Sequence, residues 1–214
     1  GVSAAKALAY ALNIPLYAVN HIEAHIAANY LSYPQLQPPF LAVVASGGHT
    51  GIARVDGRND FTMISSTTDD AIGEAFDKVA RALGLPYPGG PEIDRLARTG
   101  EANIEFMERK RGKAAELSYS GLKTAVVNYL HNLEQKGEKP NLPDVCASFQ
   151  KTAVGMLADR AAQAVKATGI TTVVAAGGVS ANSYLRERLK ADGDKLGYTV
   201  YFPPMSLCTD NAAM

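Results

Sequence analysis

The sequence has no excess of charge of either sign, because 21 lysines and arginines are balanced by 21 aspartates and glutamates. A protein that binds nucleic acid by itself usually carries a basic excess, which this chain lacks. Any RNA partner would therefore be held by a local patch or by other subunits. The basic run at 108–113 (ERKRGK) could touch RNA phosphates, although such runs more often form a solvated surface.

Cysteines and long apolar stretches are also scarce. Cys146 and Cys208 are the two cysteines, and they lie in unrelated contexts without metal-type spacing. We interpret both as reduced thiols of a cytoplasmic protein. No run of about 18 apolar residues and no signal-peptide pattern occurs, so we expect no membrane partner. Because there is no initiator methionine and the sequence stops inside an apparent helix, we expect a chain truncated at both ends.

The order of the elements predicts an α/β protein. Apolar strands at 40–46, 51–55 and 61–67 are joined by tight turns, and a strand–helix–strand unit follows near the end of the chain. This order is typical of a mixed sheet flanked by helices, as in a ribonuclease-H-like, actin-type lobe. The proline-punctuated loop at 33–39 predicts a boundary between lobes. Further strands are expected at 16–19, 171–178 and 198–202, and helices at 3–12, from about 20, and at 69–83, 92–99, 120–135, 143–168 and 181–192.

Two histidines, His21 and His25, lie four residues apart in the helix that is predicted to start near Asn20. At this spacing both imidazoles project from one face, with Cβ atoms about 6 Å apart, which suits a single divalent ion. Glu23 points to the opposite side, so the pair does not form the His-Glu-x-x-His site of a zincin protease. The alternative is two ordinary histidines, one capping the helix and one on the surface.

Asp210 is the candidate third ligand, because a site with two histidines usually needs a carboxylate. It lies in CTDNAAM (208–214), at a predicted helix start after the last strand, where α/β folds often place functional side chains. An aspartate that merely caps the helix, worth about 1 kcal/mol, is the interpretation that the sequence alone favours.

Two glycine-rich turns indicate a nucleotide in a cleft. The turn SGGHT (46–50) joins the first two strands, and its backbone N–H groups could cradle a phosphate. The turn GGVSAN (177–182) follows a buried strand and opens a helix, whose N-terminus favours a negative group. A plain hairpin would explain the first turn equally well. Neither turn matches a Walker A loop or a Gly-x-Gly-x-x-Gly fingerprint.

Other polar positions lie between these turns. Asp77 could accept hydrogen bonds from ribose hydroxyls, or form a helical ion pair with Arg81. The loop YPGGP (87–91) permits close backbone approach, or simply terminates a helix. Asp94 follows in the next helix and is expected to be a surface charge unless a nucleotide reaches it.

Six motifs, taken in order, resemble those of the TsaD/Gcp proteins, a family formerly named O-sialoglycoprotein endopeptidase. The resemblance runs along the whole chain, and its SGGHT turn is similar to the bacterial or organellar branch. It implies an actin/Hsp70/sugar-kinase-like fold with two lobes, the first incomplete here. Residues 1–39 would be the remnant of that lobe with the metal-binding helix, and 40–214 the second lobe with a helical insertion at about 85–168. The motifs are NHIEAH (20–25), SGGHT (46–50), GEAFDK (73–78), YPGGP (87–91), AAGGVSAN (175–182) and CTDNAAM (208–214).

The resemblance implies transfer of a threonylcarbamoyl group from threonylcarbamoyl-AMP to N6 of the adenosine 3′ of the anticodon, in tRNAs reading ANN codons. It also implies one divalent metal ion per subunit, Fe²⁺ or Zn²⁺, and a TsaB-like paralogue and a TsaE-like ATPase as partners. By motif, the metal ligands would be His21, His25 and Asp210, and the adenylate site would comprise Val44, Ala45, Ser46, Gly47, Gly48, Asp77, Gly90, Asp94 and Asn182.

Three other classes of protein compete with this interpretation. An actin-like ATPase or small-molecule kinase would use the glycine turns equally well, but it has no need of the two histidines and Asp210. A metalloprotease is disfavoured by the position of Glu23. An inactive scaffold that only binds partner subunits has no need of an intact set of metal ligands.

Overall fold

The computed structural model describes residues 1–58, 60–107 and 117–211. The basic run at 108–113 and the last part of CTDNAAM, 212–214, lie outside the described residues. Five strands form one sheet: β1 (Phe40–Ala45), β2 (Thr50–Gly57), β3 (Asp60–Ser66), β4 (Thr172–Ala176) and β5 (Thr199–Tyr201). Their order across the sheet is β3-β2-β1-β4-β5.

The sheet is mixed, as the sequence predicts. Strands β1, β2 and β3 form an antiparallel meander, in which Phe40 pairs with Val55. Strand β4 runs parallel to β1, with Leu41 opposite Val173, and β5 runs parallel to β4. The carboxyl ends of the neighbouring strands β1 and β4 therefore lie at the same edge of the sheet, where α/β folds commonly bind ligands.

Helices cover both faces of this sheet. Side chains of a strand alternate between its faces, so Leu41 and Val43 pack under α3–α7, whereas Phe40 and Val44 pack on the face where α2 contributes Ile26. The predicted sheet with flanking helices is therefore confirmed. The helices are α1 (Val2–Leu12), α2 (His21–Ser32), α3 (Ile72–Ala82), α4 (Gly89–Ala97), α5 (Tyr119–Gln135), α6 (Leu142–Thr168), α7 (Ser183–Leu196) and α8 (Met205–Cys208).

The strand predicted at 16–19 is wrong. Residues 14–20 form neither helix nor strand, and Leu16, Tyr17 and Val19 are exposed. An apolar run becomes a strand only when a neighbouring strand satisfies its backbone hydrogen bonds.

Three boundaries around the predicted site also differ. Helix α4 begins at Gly89 rather than at residue 92, so the two glycines of YPGGP form its first turn. A short 3₁₀ turn, Gly178–Ala181, precedes α7, which extends to Leu196. Asp210 follows the short helix α8, and the helix that it was expected to cap would lie in residues that the structure does not describe. No helix in the described part of the chain combines the length and apolar character needed to cross a membrane.

Candidate metal and nucleotide site

A capping residue, Asn20, fixes the start of α2. Its Oδ1 accepts hydrogen bonds from the backbone N–H groups of Ile22 (2.9 Å) and Glu23 (3.3 Å), donors that a helix start leaves free. Further along the helix, Asn29 donates from Nδ2 to the backbone oxygen of Ala175 in β4 (3.0 Å). The helix therefore has a fixed start and a fixed attachment to the sheet.

His21 and His25 project from the same face of α2, with ring centroids 4.6 Å apart. The side chain of His25 is 1% exposed, whereas that of His21 is half-exposed. Glu23 lines a separate small pocket together with Tyr30 and Arg58. This placement disfavours a zincin protease, in which the glutamate shares the site of the two histidines.

Asp210 brings a carboxylate to the two imidazoles. Its Oδ1 lies 3.1 Å from Nε2 of His25 and 3.6 Å from Nε2 of His21. Ligand atoms of all three side chains lie within 4.8 Å of one another. A tetrahedral ion with bonds of about 2.0–2.2 Å spaces its ligand atoms roughly 3.3–3.6 Å apart. The two distances from the carboxylate to the imidazoles are close to this range, so the three side chains could hold one divalent ion and leave a fourth position for substrate or water.

The state of His25 also fits a metal ligand. Both its ring nitrogens are buried without a hydrogen-bond partner in the described part of the chain, although Asp210 is close in distance. Burial lowers the pKa of His25 below its ordinary value, the His21 ring lowers it further, and Asp210 opposes the shift. His25 is therefore a neutral imidazole near pH 7 with a free lone pair. Because a buried polar group needs a partner, an ion between Nε2 of His25 and the Asp210 carboxylate, 3.1 Å away, would satisfy both groups.

The first glycine turn presents open backbone. Ser46 closes it, because its N–H donates to the backbone oxygen of His49 (2.9 Å) and its Oγ accepts from the His49 N–H (3.0 Å). Gly47 and Gly48 are exposed, and nothing lies within 4 Å of the position that a Cβ would take at either residue. A phosphate could therefore approach the main chain of this turn closely.

Two other glycines bring neighbouring segments against this turn. Gly177 has φ +92°, and a Cβ there would lie 2.6 Å from the backbone oxygen of Ala45. Gly73, in the first turn of α3, donates its N–H to the Ser46 oxygen (3.2 Å), and a Cβ at Gly73 would lie 2.7 Å from that oxygen. Both glycine turns and the start of α3 therefore meet at the carboxyl end of β1.

An open cleft of about 330 Å³ connects the start of α2 with the first glycine turn. The start of α2 contributes the capping residue Asn20 and Ile22, the residues on either side of His21. The second glycine turn approaches the other ligand segment, since a Cβ at Gly178 would lie 3.9 Å from Cγ2 of Thr209. Other residues that line the cleft include Val44, Gly48, His49, Thr67 and Asp69.

Asp77 and Gly90 lie where α3 meets α4. The carboxylate of Asp77 accepts a hydrogen bond from the Gly89 N–H (2.8 Å), at the first residue of α4. Gly90 is half-buried, with open space where a Cβ would lie. Neither residue lines the cleft described above, so their place in an adenylate site stays a prediction.

Asp94 and Asn182 join α4, α6 and α7. The Asp94 carboxylate accepts a hydrogen bond from Oγ of Ser183 (2.7 Å), so this residue is not the free surface charge that the sequence suggests. Asn182 caps α7, because its Oδ1 accepts from the Leu185 N–H (2.9 Å), and its Nδ2 donates to Oε1 of Gln150 (2.9 Å). Both polar atoms of the Asn182 side chain are therefore engaged within the protein, and its contact with adenylate also stays a prediction.

Sequence reasoning missed two side chains near the site. His49 is exposed in the cleft and close enough to His25 to influence its titration, and its place in SGGHT was the available signal. Arg186 donates hydrogen bonds to the backbone oxygens of Ser180 and Pro203. The sequence carries no sign of this role, because a charged residue in a charged helical segment normally faces solvent.

The structure is similar to two solved structures of much larger proteins. The crystal structure of full-length HypF in the phosphate- and nucleotide-bound form has a TM-score of 0.71 and 19% identity, covering 94% of this chain and 35% of that chain. The HypF of T. kodakarensis has a TM-score of 0.68 and 13% identity, covering 94% of this chain and 36% of that chain. Together with the sheet topology, these likenesses establish an actin/Hsp70/sugar-kinase-like fold.

Relatives found by sequence are much more similar to this chain than the two HypF proteins are. The family described as "TsaD: tRNA N6-adenosine threonylcarbamoyltransferase" matches residues 1–214. A tRNA N6-adenosine threonylcarbamoyltransferase of Clostridium perfringens is 50% identical over 216 residues, and one of Clostridium botulinum is 49% identical. Both alignments cover 100% of this chain and 64% of the relative, so the chain spans less than two thirds of the length of these relatives. With half of its residues shared and its whole length matched, the chain belongs to the TsaD family.

Proposed function

We propose that the protein carrying this chain transfers the threonylcarbamoyl group from threonylcarbamoyl-AMP to N6 of the adenosine 3′ of the anticodon, in tRNAs reading ANN codons. Membership of the TsaD family supports this proposal. The observation that carries it is the meeting of His21, His25 and Asp210 beside the cleft that the first glycine turn lines with Gly48. An ATPase or kinase site needs the glycine turns but not these three ligands.

The three side chains would hold one divalent ion, Fe²⁺ or Zn²⁺, since two imidazoles and a carboxylate accept either metal. When bound, such an ion supplies a Lewis acid for charged oxygens of the substrate. The neutral state of His25 and the exposure of His21 suit this role, because one ligand is held rigidly and the other can adjust.

The remaining residues would bind and orient the donor. The exposed backbone of the 46–48 turn, with the N–H groups of Gly47 and Gly48, would face its phosphate, as backbone donors do in other anion sites. We place the adenylate against Val44 and Ala45 and towards Asp77, Gly90, Asp94 and Asn182. The donor is a mixed anhydride, so the chain needs no nucleophile of its own. N6 forms the new C–N bond and gives up a proton to solvent, while the C–O bond of the anhydride breaks and AMP leaves with the anhydride oxygen.

Partners are part of the proposal. A chain without net charge is poorly suited to capture tRNA by itself, so we propose that a TsaB-like paralogue and a TsaE-like ATPase assist it. We also propose a cytoplasmic location, which a tRNA substrate and the free, buried cysteines support.

Removal of one imidazole tests the proposed function. His25→Ala should lose its metal, and transfer of labelled threonylcarbamoyl groups to tRNA should fall by more than about 100-fold, since even outer-shell partners are worth roughly 10–100-fold in affinity or activity. His131→Ala is the control, because His131 contacts Gln135 and Glu134 on α5 instead. Full transfer by a metal-free His25→Ala protein would contradict the proposal.

Phosphate transfer would support the main alternative. HypF, which shares the fold, has been crystallised with phosphate and nucleotide, so a nucleotide in the cleft fits a kinase as well as a transferase. If purified protein moves phosphate from ATP to small sugars or acids at rates that His25→Ala leaves unchanged, the kinase interpretation replaces the transferase.

A further inference from the structure

Asp210 is held in place mainly through the backbone of the residues before it, because its own side chain is largely exposed. The Asp210 side chain is 78% exposed, whereas Cys208, two residues earlier, is fully buried. The distance from the carboxylate to the imidazoles therefore depends on what fixes the segment 203–209, which we call the ligand segment.

Arg186, in the first turn of α7, fixes the ligand segment with one guanidinium group. Its Nη2 donates to the backbone oxygen of Pro203 (2.7 Å) and to Sγ of Cys208 (3.3 Å). The same group lies over the ring of Phe202, 5.1 Å from the ring centroid. These contacts hold the chain at both ends of the stretch that leads to Asp210.

The same guanidinium reaches the second glycine turn. Its Nε donates to the backbone oxygen of Ser180 (2.7 Å), within the 3₁₀ turn Gly178–Ala181. That turn also packs beside Thr209 of the ligand segment. A guanidinium suits this task because its N–H donors lie in one fixed plane, whereas a lysine ammonium cannot reproduce the fork.

We propose that Arg186 is a positioning residue for the metal site, which acts through the backbone of the ligand segment to hold Asp210 against His21 and His25. This inference rests on the proposed function, because it takes these three side chains as the ligands. Without the guanidinium, the exposed carboxylate would spend less time within ligand distance of the imidazoles. The two histidines would then hold the ion without their third ligand.

Metal affinity measured with Zn²⁺ alone tests this role. Chelator-buffered titrations of the complete natural protein should show roughly 10–100-fold weaker binding for Arg186→Ala, the range found when an outer-shell partner is lost. The Zn²⁺ affinity of Arg186→Lys should lie between that of Arg186→Ala and that of the wild type. Thermal unfolding of the metal-free proteins, measured in parallel, reports any general loss of stability.

Arg188→Ala is the matched control. Arg188 lies on the same helix and is equally well bonded, but its partners are Asp159 on α6 (2.6 Å) and Asp192 on α7 (2.8 Å). Its loss should lower the unfolding temperature while leaving Zn²⁺ affinity within about twofold of the wild type, as expected for independent sites.

The possible outcomes separate the two proposals. Unchanged Zn²⁺ affinity in a folded Arg186→Ala protein overturns the positioning role and leaves the metal site intact. If Arg186→Ala does not fold, Arg186→Lys decides: wild-type affinity overturns the role, and intermediate affinity supports it. Equal Zn²⁺ affinity of the wild type and His25→Ala overturns the metal site and the positioning role together.

Discussion

At the scale of single residues, glycine sets how closely the two turns of the site approach each other. Gly177 combines a left-handed backbone with a position where a Cβ would lie 2.6 Å from the Ala45 oxygen. A side chain there would strain its own backbone and push the end of β4 away from β1. The missing side chain is therefore needed for the geometry of the cleft edge as well as for the turn itself.

Gly177→Ala should lower the free energy of unfolding by roughly 2–6 kcal/mol, because backbone strain and overpacking each cost about 1–3 kcal/mol. Gly169→Ala is the control, since Gly169 has φ +70° but nothing within 4 Å of its Cβ position. Gly169→Ala should lower the free energy of unfolding by only about 1–2 kcal/mol. Urea unfolding curves of the two variants measure the difference, and equal losses would show that the contact with Ala45 contributes nothing.

At the scale of elements, the strands of the meander and the long helices could be predicted from local pattern. Strand β1 is a continuous apolar run that ends in turn residues, and α5 and α6 begin within one residue of their predicted starts. The run at 16–19 looks the same in sequence but has no strand beside it. Pairing is a tertiary property, so propensity alone could not separate the two cases.

The candidate site also combines one part that local sequence pattern predicts with another part that it does not. The common face of His21 and His25 follows from helical spacing, which is local. The approach of Asp210 depends on the parallel pairing of β1 with β4 and on Arg186, neither of which leaves a pattern in sequence. Local pattern offered Asp210 as a candidate third ligand but favoured a helix cap, and the family resemblance favoured the ligand role. The adenylate residues on α3, α4 and α7 and the division of the chain at residue 39 stay predictions.

Helix α7 provides a prediction at this scale through its cap. Asn182→Ala removes the hydrogen bond to the Leu185 N–H and leaves Oε1 of the buried Gln150 without its donor. The free energy of unfolding should therefore fall by about 2–3 kcal/mol. Asn141→Ala is the comparison, because the Asn141 side chain bonds Asp144 and does not cap α6. Chemical denaturation of both variants measures the two losses, and a loss no greater than that of Asn141→Ala would contradict the capping role.

At the scale of the whole molecule, the candidate ion would connect segments from distant parts of the sequence. His21 and His25 lie on a helix that covers one face of the sheet, whereas Asp210 follows α8 after the last strand. In the unfolded chain these ligands are far apart, so an ion bound by all three favours the folded state alone. Metal binding and global stability should therefore be linked.

Zn²⁺ at about 100 times its dissociation constant should raise the free energy of unfolding by about 2.7 kcal/mol. For a chain of this size, that gain corresponds to an increase of roughly 5–10 °C in the unfolding temperature. Asp210→Ala should lose most of the increase at the same Zn²⁺ concentration, because the two histidines alone join only neighbouring turns of one helix. His131→Ala should keep it, since its imidazole lies on α5 among Gln135 and Glu134. Scanning fluorimetry with and without a chelator measures these shifts, and an undiminished increase in Asp210→Ala would mean that the ion does not connect the two segments.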